Sequence, residues 1–388
     1  MIIIEKPYVS ETLVDSIVQN DWYVLENDAL ELANIEEGAF NILDQENAKY
    51  RYSTMSYPQI YSNSESGIRW VQANMPDSKL TKYLNLFKDK SEFRRTFADL
   101  YPNFSFKEVT FEDMKKMSLE SLEFPLVIKP VAGFMGFGVH IVQNDADWKN
   151  ALYNLEEEIK QAQRMFDESV ISSSRFLIED FVQGEEFAID AYFDKQGQPV
   201  ILNIFQHPYL NSKDVRNRIY MTSVGIMVKY LAKFAVILKQ MGERIDARNL
   251  AIHMELRVTP DENIIPIEVN PMRFSGWCTT DVAKYAWGIN VYEYFMAQLK
   301  PNWNEILEKA PRGVYYFSMA EVPEGLDKSK IKSFNYDKFL ANYSNILEVR
   351  RINPKNNPLF AIIFGHTQDK EEVKQILQLN MKDYIIFS

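Results

Sequence analysis

Apolar residues along this chain recur either at every second position or at every third and fourth, and the two periods predict different elements. Near the start, 1–5 and 22–26 read as strands around a helix over 10–20, the arrangement of a small parallel α/β layer. From 78 a helical spacing runs through Leu80, Tyr83, Leu84 and Phe87. A second helix begins after Asp89, with Phe93, Phe97 and Leu100 on one face and Lys90 at the junction. PLVIKPVAGFMGFGVHIV predicts strand, glycine-bearing turn, strand, after which Asp145 caps an acidic amphipathic helix to about 166. FLIEDFV, EFAIDAYFD and PVILNIF read as strands, with a turn at 195–198, and a long helix follows over 224–241. Two apolar runs, AIHMELRVT and IIPIEVN, joined by PDEN, predict a hairpin. Helical patterns continue to about 299, and 301–312 reads as a connection. VYYFSMA, ILEVRRI, LFAIIFG and a helix at 371–379 read as a small α/β appendage.

At 388 residues, 46% of them hydrophobic and 25% charged, the chain has room for two or three domains with a substantial core. A formal charge of −11 argues against a basic nucleic-acid surface, so any local cluster of cations points to an anionic ligand. The single cysteine, Cys278, excludes an internal disulfide. With no signal-peptide pattern in view, a cytoplasmic location is expected. No apolar run of about eighteen residues occurs, so no transmembrane helix and no membrane partner are expected.

The hairpin carries the most chemistry. It would bring Glu255 beside Glu268 and Asn270, and because strand side chains alternate, the last two share a face. Two carboxylates and an amide oxygen, with no Cys or His cluster, suit Mg²⁺ held together with phosphates. Paired acids at a hairpin are more often a solvated rim. Here Glu268 lies among Ile264, Ile265, Ile267 and Val269, and a carboxylate buried in such a run needs a cation or a donor.

Gly133, Gly136 and Gly138 lie between two apolar strands, where glycine lets a backbone approach a phosphate closely. By itself this is a plain turn in most proteins. Lys129, however, ends the strand entering it, inside an apolar run where an ammonium group requires a compensating anion. FLIEDFVQGEEFAID offers Glu179, the apolar pair Phe181 and Val182, then Gly184 and Glu186. That is an apolar slot with backbone groups for a base and a carboxylate for ribose hydroxyls, or equally a strand pair with surface acids. Lys213, Arg216 and Arg218 form a basic segment suited to a γ-phosphate or a substrate carboxylate, with Arg218 preferred because it adjoins the apolar IYMTS run. Cys278 reads as structural, since a catalytic thiol needs a base and the chain holds only four histidines.

The ordered set Lys90, Lys129, glycine loop, Glu179, Glu186, Glu255, Glu268, Asn270 resembles the ATP-grasp superfamily. The match spans roughly 63–297. The resemblance implies an α/β (α+β) ATP-grasp fold with an N-terminal parallel α/β domain over 1–78. The ATP-grasp domain would cover 79–300, divided at 172, with a small C-terminal appendage over 311–388. It implies that Lys90, Lys129 and the loop glycines contact ATP phosphates. Glu179 with the backbone of Phe181 and Val182 would meet adenine, and Glu186 would hold the ribose. Glu255, Glu268 and Asn270 would bind one or two Mg²⁺ ions, with Mn²⁺ able to substitute. Arg273, in NPMRFSG, looks like the arginine that carboxylate ligases set on an acyl phosphate, and SNSES around Glu65 looks like the segment closing the preceding domain. The flap departs from the family in carrying Phe134, Met135 and Phe137, which leaves only backbone donors. His253 stands where some relatives have a basic residue.

The implied activity is ATP- and Mg²⁺-dependent activation of a small-molecule carboxylate as an acyl phosphate, followed by attack of an amine, releasing ADP and phosphate. A phosphotransferase of the same fold acting on a hydroxyl, a carboxylase, and a non-catalytic ATP-binding module are the alternatives. Retention of the whole acidic set favours catalysis, and Arg273 favours a ligase.

Overall fold

The computed structural model describes every residue except 34–37, 134–137, 166–173, 210–217, 324, 356 and 388. Its chain divides into two units, one made of Met1–Thr81, Glu185–Glu255 and Pro271–Ser388, the other of Lys82–Gly184 and Leu256–Asn270.

In the first unit, the N-terminal strands form a parallel sheet in the order Asn41–Leu43, Tyr23–Leu25, Ile2–Ile3, Tyr61–Ser62. The helix Glu11–Gln19 starts where Ser10 Oγ accepts from the Thr12 N–H, and it buries Leu13, Val14 and Ile17. This is the parallel layer that the apolar spacing predicts. A large antiparallel sheet follows, in the order Leu250–Val258, Glu185–Phe193, Pro199–His207, Ile219–Thr222, Val314–Glu321, Leu359–Thr367, Ile346–Arg351. The helix Val224–Ile245 lays Tyr230 and Phe234 against Phe187, whose ring centroid is 4.4 Å from that of Tyr230.

The C-terminal strands add to the large sheet: Val314–Glu321 pairs with Ile219–Thr222, with Tyr220 opposite Phe317. VYYFSMA and LFAIIFG are buried on nearly every residue, and strands covered on both faces need layers on both sides. Among the described residues, the pair Ile331–Phe334 and Ile385–Phe387 forms a separate two-stranded sheet, and with the helix Lys370–Leu377 it encloses Phe334, Phe339, Phe360 and Tyr384. The segment 301–312 is more than a connection. It contains the helix Trp303–Lys309, capped by Asn302, a length too short to show a helical period.

In the second unit, four antiparallel strands run in the order Phe106–Thr110, Arg175–Asp180, Leu126–Pro130, His140–Val142. Their apolar face packs with Trp148, Ala151 and Leu155 of the helix Asp145–Met165. The cap of that helix is Asn144 rather than Asp145, because Asn144 Oδ1 accepts from the N–H groups of Ala146 and Asp147. The predicted hairpin turn closes where the Thr259 N–H meets the Asn263 carbonyl at 2.9 Å. Its second strand, Ile264–Pro271, is less buried than its composition suggests: Ile264, Ile265 and Ile267 are all partly exposed. Among the described residues, no helix is long and apolar enough to cross a membrane.

Candidate functional site

Within the second unit, Lys129 ends the strand Leu126–Pro130 with its ammonium group buried, and Glu179 ends the adjacent strand Arg175–Asp180. Nζ of Lys129 lies 2.7 Å from Oε1 of Glu179, while Nη2 of Arg94 lies 2.7 Å from Oε2. The anion that Lys129 requires is therefore supplied inside the protein. Burial pulls the Lys129 pKa down to about 8, against the pull of Glu179. Burial also works to raise Glu179, but Lys129 and Arg94 overcome it and hold the carboxyl near 2, so the triad stays ionised at neutral pH. Arg94 is the member that the sequence analysis missed. It lies one helical turn beyond Lys90, and its guanidinium also reaches the Pro266 carbonyl at 2.6 Å and covers the Phe104 ring. The i, i+4 spacing on a buried face was the available signal.

Lys90 opens the helix Lys90–Thr96, whose cap is Asp89. Its N–H donates to the Val131 carbonyl at 3.0 Å, which ties the helix start to the exit of the Lys129 strand. Its ammonium then lies 3.3 Å from the Gly133 carbonyl and 3.0 Å from Oε1 of Glu268. A lysine, the start of the glycine loop and the acid of the E-x-N strand thus converge on one point. Gly138 closes the loop at a φ of +70°, where a Cβ would also press on Pro130. Gly136 lies outside the described residues, as do Lys213 and Arg216.

Between the strands, the Phe181 N–H donates to the Pro125 carbonyl, and the Val182 carbonyl accepts from Arg257 at 3.0 Å. Two of the four backbone polar groups proposed for a base are thus engaged with protein. Gly184 follows, and a Cβ there would lie 2.2 Å from the Val258 carbonyl oxygen. Only glycine allows that approach.

The first unit holds a second cluster. Glu186 accepts from the Tyr209 hydroxyl and lies 3.9 Å from Nδ1 of the buried His207. Glu255, Glu186 and Arg273 all act on the buried Tyr220 phenol, whose pKa is raised, first by burial and then by the two carboxylates. His253 has Nδ1 at 2.8 Å from Asp190 and Nε2 at 3.6 Å from Glu255. Burial would strip its proton, yet the two carboxylates outweigh burial and raise its pKa to about 9. It is an imidazolium at neutral pH. Arg273 pairs with Glu65 at 3.0 Å and donates to the Phe274 carbonyl. Arg218 is buried and donates to the Leu377 carbonyl, a contact with the C-terminal part of the chain. Cys278 is buried, and burial raises its thiol pKa well above the usual value, consistent with a structural role.

Glu255 belongs to the first unit, Glu268 and Asn270 to the second. Among the described residues no group of three His, Cys, Asp or Glu is spaced to hold a metal ion by itself. Within the second unit, Glu268 and Asn270 are oxygen donors of the kind a hard cation takes.

A family description, the ATP-grasp domain, matches residues 122–281. The chain carries an ATP-grasp domain. That span of the ATP-grasp domain includes Lys129, Glu179, Glu186, Glu255, Glu268, Asn270 and Arg273, while Lys90 precedes it. No curated protein sequence matches the chain. Among solved structures, the fold is similar to an L-amino acid ligase from Bacillus licheniformis, with a TM-score of 0.67 and 16% identity over 100% of this chain and 98% of that one. It is also similar to N5-carboxyaminoimidazole ribonucleotide synthetase from Thermotoga maritima, at 0.65 and 13%, over 100% and 98%. A third is the biotin carboxylase domain of the Hydrogenobacter thermophilus 2-oxoglutarate carboxylase in complex with MgADP, at 0.62 and 13%, over 100% and 90%. At these identities the likeness is one of ATP-grasp fold.

Proposed function

We propose that this protein is an ATP- and Mg²⁺-dependent ligase that activates a small-molecule carboxylate as an acyl phosphate and passes it to an amine. The observation that carries this is the convergence of Lys90 on the Gly133 carbonyl and on Glu268. An ammonium held between a glycine loop and an acid is placed to take a phosphate oxygen when a divalent cation takes the carboxylate. Lys129, kept charged by Glu179, is the second phosphate cation. Glu255, Glu268 and Asn270 are the residues that would hold Mg²⁺, which would neutralise phosphate charge. Phe181 and Val182 would border the base, Glu179 would fix Lys129, and Glu186 would hold the ribose hydroxyls. Arg273 holds the substrate carboxylate, whose oxygen attacks the γ-phosphorus as the bond to the bridging oxygen of ADP breaks. The amine then displaces phosphate. Arg218, which donates to the Leu377 carbonyl, would serve the γ-phosphate or the substrate carboxylate.

The test is ADP release with a panel of carboxylates in the presence of hydroxylamine, for wild type and Glu268→Gln. Hydroxamate formation that is lost in the variant, with folding intact, is the expected result. Undiminished turnover in Glu268→Gln overturns the metal assignment, and phosphorylation of a hydroxyl acceptor without hydroxamate overturns the ligase reading.

A further inference from the structure

The strand Arg175–Asp180 carries Glu179 near one end and Arg175 at the other, and at this even spacing the two side chains stand on one face. Glu179 holds Lys129, while Arg175 reaches the start of the helix that Lys90 opens. Nη1 of Arg175 lies 3.0 Å from Oδ2 of Asp89, whose other oxygen caps that helix by accepting from the Glu92 N–H at 2.8 Å. Nε of Arg175 donates to Oε1 of Glu108 at 2.6 Å, and Oε2 of Glu108 accepts from Ser91 and Arg95, in the first and second turns of the same helix. The hydrogen bond from Arg175 is the main cause that brings the Glu108 carboxyl down to about 2, so it is ionised at neutral pH. Main-chain bonds complete a ring. The Val131 N–H donates to the Arg175 carbonyl at 3.0 Å, the Lys90 N–H donates to the Val131 carbonyl at 3.0 Å, and Asp89, next to Lys90, returns to the Arg175 guanidinium. Val131 stands two residues beyond Lys129, and every link lies in the second unit.

Resting on the reading of Lys90 and Lys129 as phosphate cations, we infer that Arg175 is a positioning residue for ATP, closing the ring that sets Lys90 relative to Lys129. Its guanidinium is engaged by two carboxylates, so it acts through Asp89 and Glu108 rather than by taking a phosphate. At 43% exposure a single ion pair would contribute little, but both of these carboxylates grip one helix. That helix has seven residues, too few to hold its own first turn in place. Without the guanidinium the ring opens at Asp89, the cap and the first turn loosen together, and Lys90 leaves the position from which it meets a phosphate oxygen. Displacement of a binding group by about 1 Å is enough to cost affinity.

The experiment is equilibrium titration of the full chain with ATP and Mg²⁺, for wild type, Arg175→Ala, Arg175→Lys, Asp89→Asn, Lys90→Met and the double variants that join Lys90→Met to Arg175→Ala or to Asp89→Asn. Thermal unfolding without nucleotide runs in parallel to show that each variant is folded. Arg175→Ala should weaken ATP binding by about tenfold, the lower end of what supporting partners contribute to a ligand site. Arg175→Lys, still able to pair with Asp89, should recover part of it. Asp89→Asn keeps a capping side chain and loses the ion pair, so it should reproduce the loss even if Arg175→Ala does not fold. In the Lys90→Met background neither change should weaken ATP further, because the effect passes through Lys90. Unchanged ATP affinity in folded Arg175→Ala or in Asp89→Asn overturns the inference and leaves the phosphate reading intact. So does a loss that adds in full to that of Lys90→Met, which is the mark of a merely structural ring. Unchanged ATP affinity in Lys90→Met overturns the phosphate reading of Lys90 and this inference together.

Discussion

Nζ of Lys129 and Oε1 of Glu179 lie 2.7 Å apart, with the two side chains at 6% and 4% exposure. The pair makes Lys129 a charged group before any ligand arrives. Replacing Glu179 by Gln leaves Lys129 and Arg94 buried without an anion, and a loss of about 3–5 kcal/mol in stability is expected. Lys129→Met leaves Glu179 with Arg94 and should cost less stability, yet weaken MgATP binding by at least about tenfold. Urea unfolding and nucleotide titration of the two variants check both.

The same pair sets an acid limit. The Glu179 carboxyl is depressed in the folded chain from 4.5 to about 2, so its contribution is fully present above the unfolded value and is lost as pH falls from 4.5 toward 2. About 3 kcal/mol should disappear across that window. Urea midpoints measured in steps of pH should show the decline in wild type and a shallower one in Glu179→Gln.

Gly184 meets the Val258 carbonyl so closely that Gly184→Ala must push the two segments apart. A cost of about 1–3 kcal/mol is expected, together with weaker ATP binding because Phe181 and Val182 shift with it. Thermal unfolding with and without MgATP separates the two effects.

His253 is expected to remain protonated at pH 8 in the metal-free protein, since its pKa is raised to about 9 by Asp190 and Glu255. As a raised group it stabilises the fold fully below the unfolded value near 6.5, and that contribution fades as pH rises through about 9. An NMR titration of the ring should show this, and Asp190→Asn should move the midpoint downward.

Much of the architecture was legible in the order of apolar runs. The parallel N-terminal layer, the strand pair around the glycine turn and the long helix Val224–Ile245 follow from local periodicity. The need of Lys129 for an anion was legible too, because it stands in an apolar strand. Which anion was not, since Glu179 is fifty residues away and only strand pairing makes them neighbours. Where the C-terminal strands would pair was not legible for the same reason. A run such as VYYFSMA declares itself a buried strand but not the strand it will join.

By itself the sequence determined the elements and the residue types able to bind a nucleotide and a hard cation, because these depend on spacing and side-chain chemistry within a few turns of chain. The tertiary structure alone decided the pairings: Arg94 with Glu179, Lys90 with Glu268, His253 with Asp190 and Arg273 with Glu65. A charge finds its partner through burial and distance in space. Those are properties of the packed chain and of no local stretch of it.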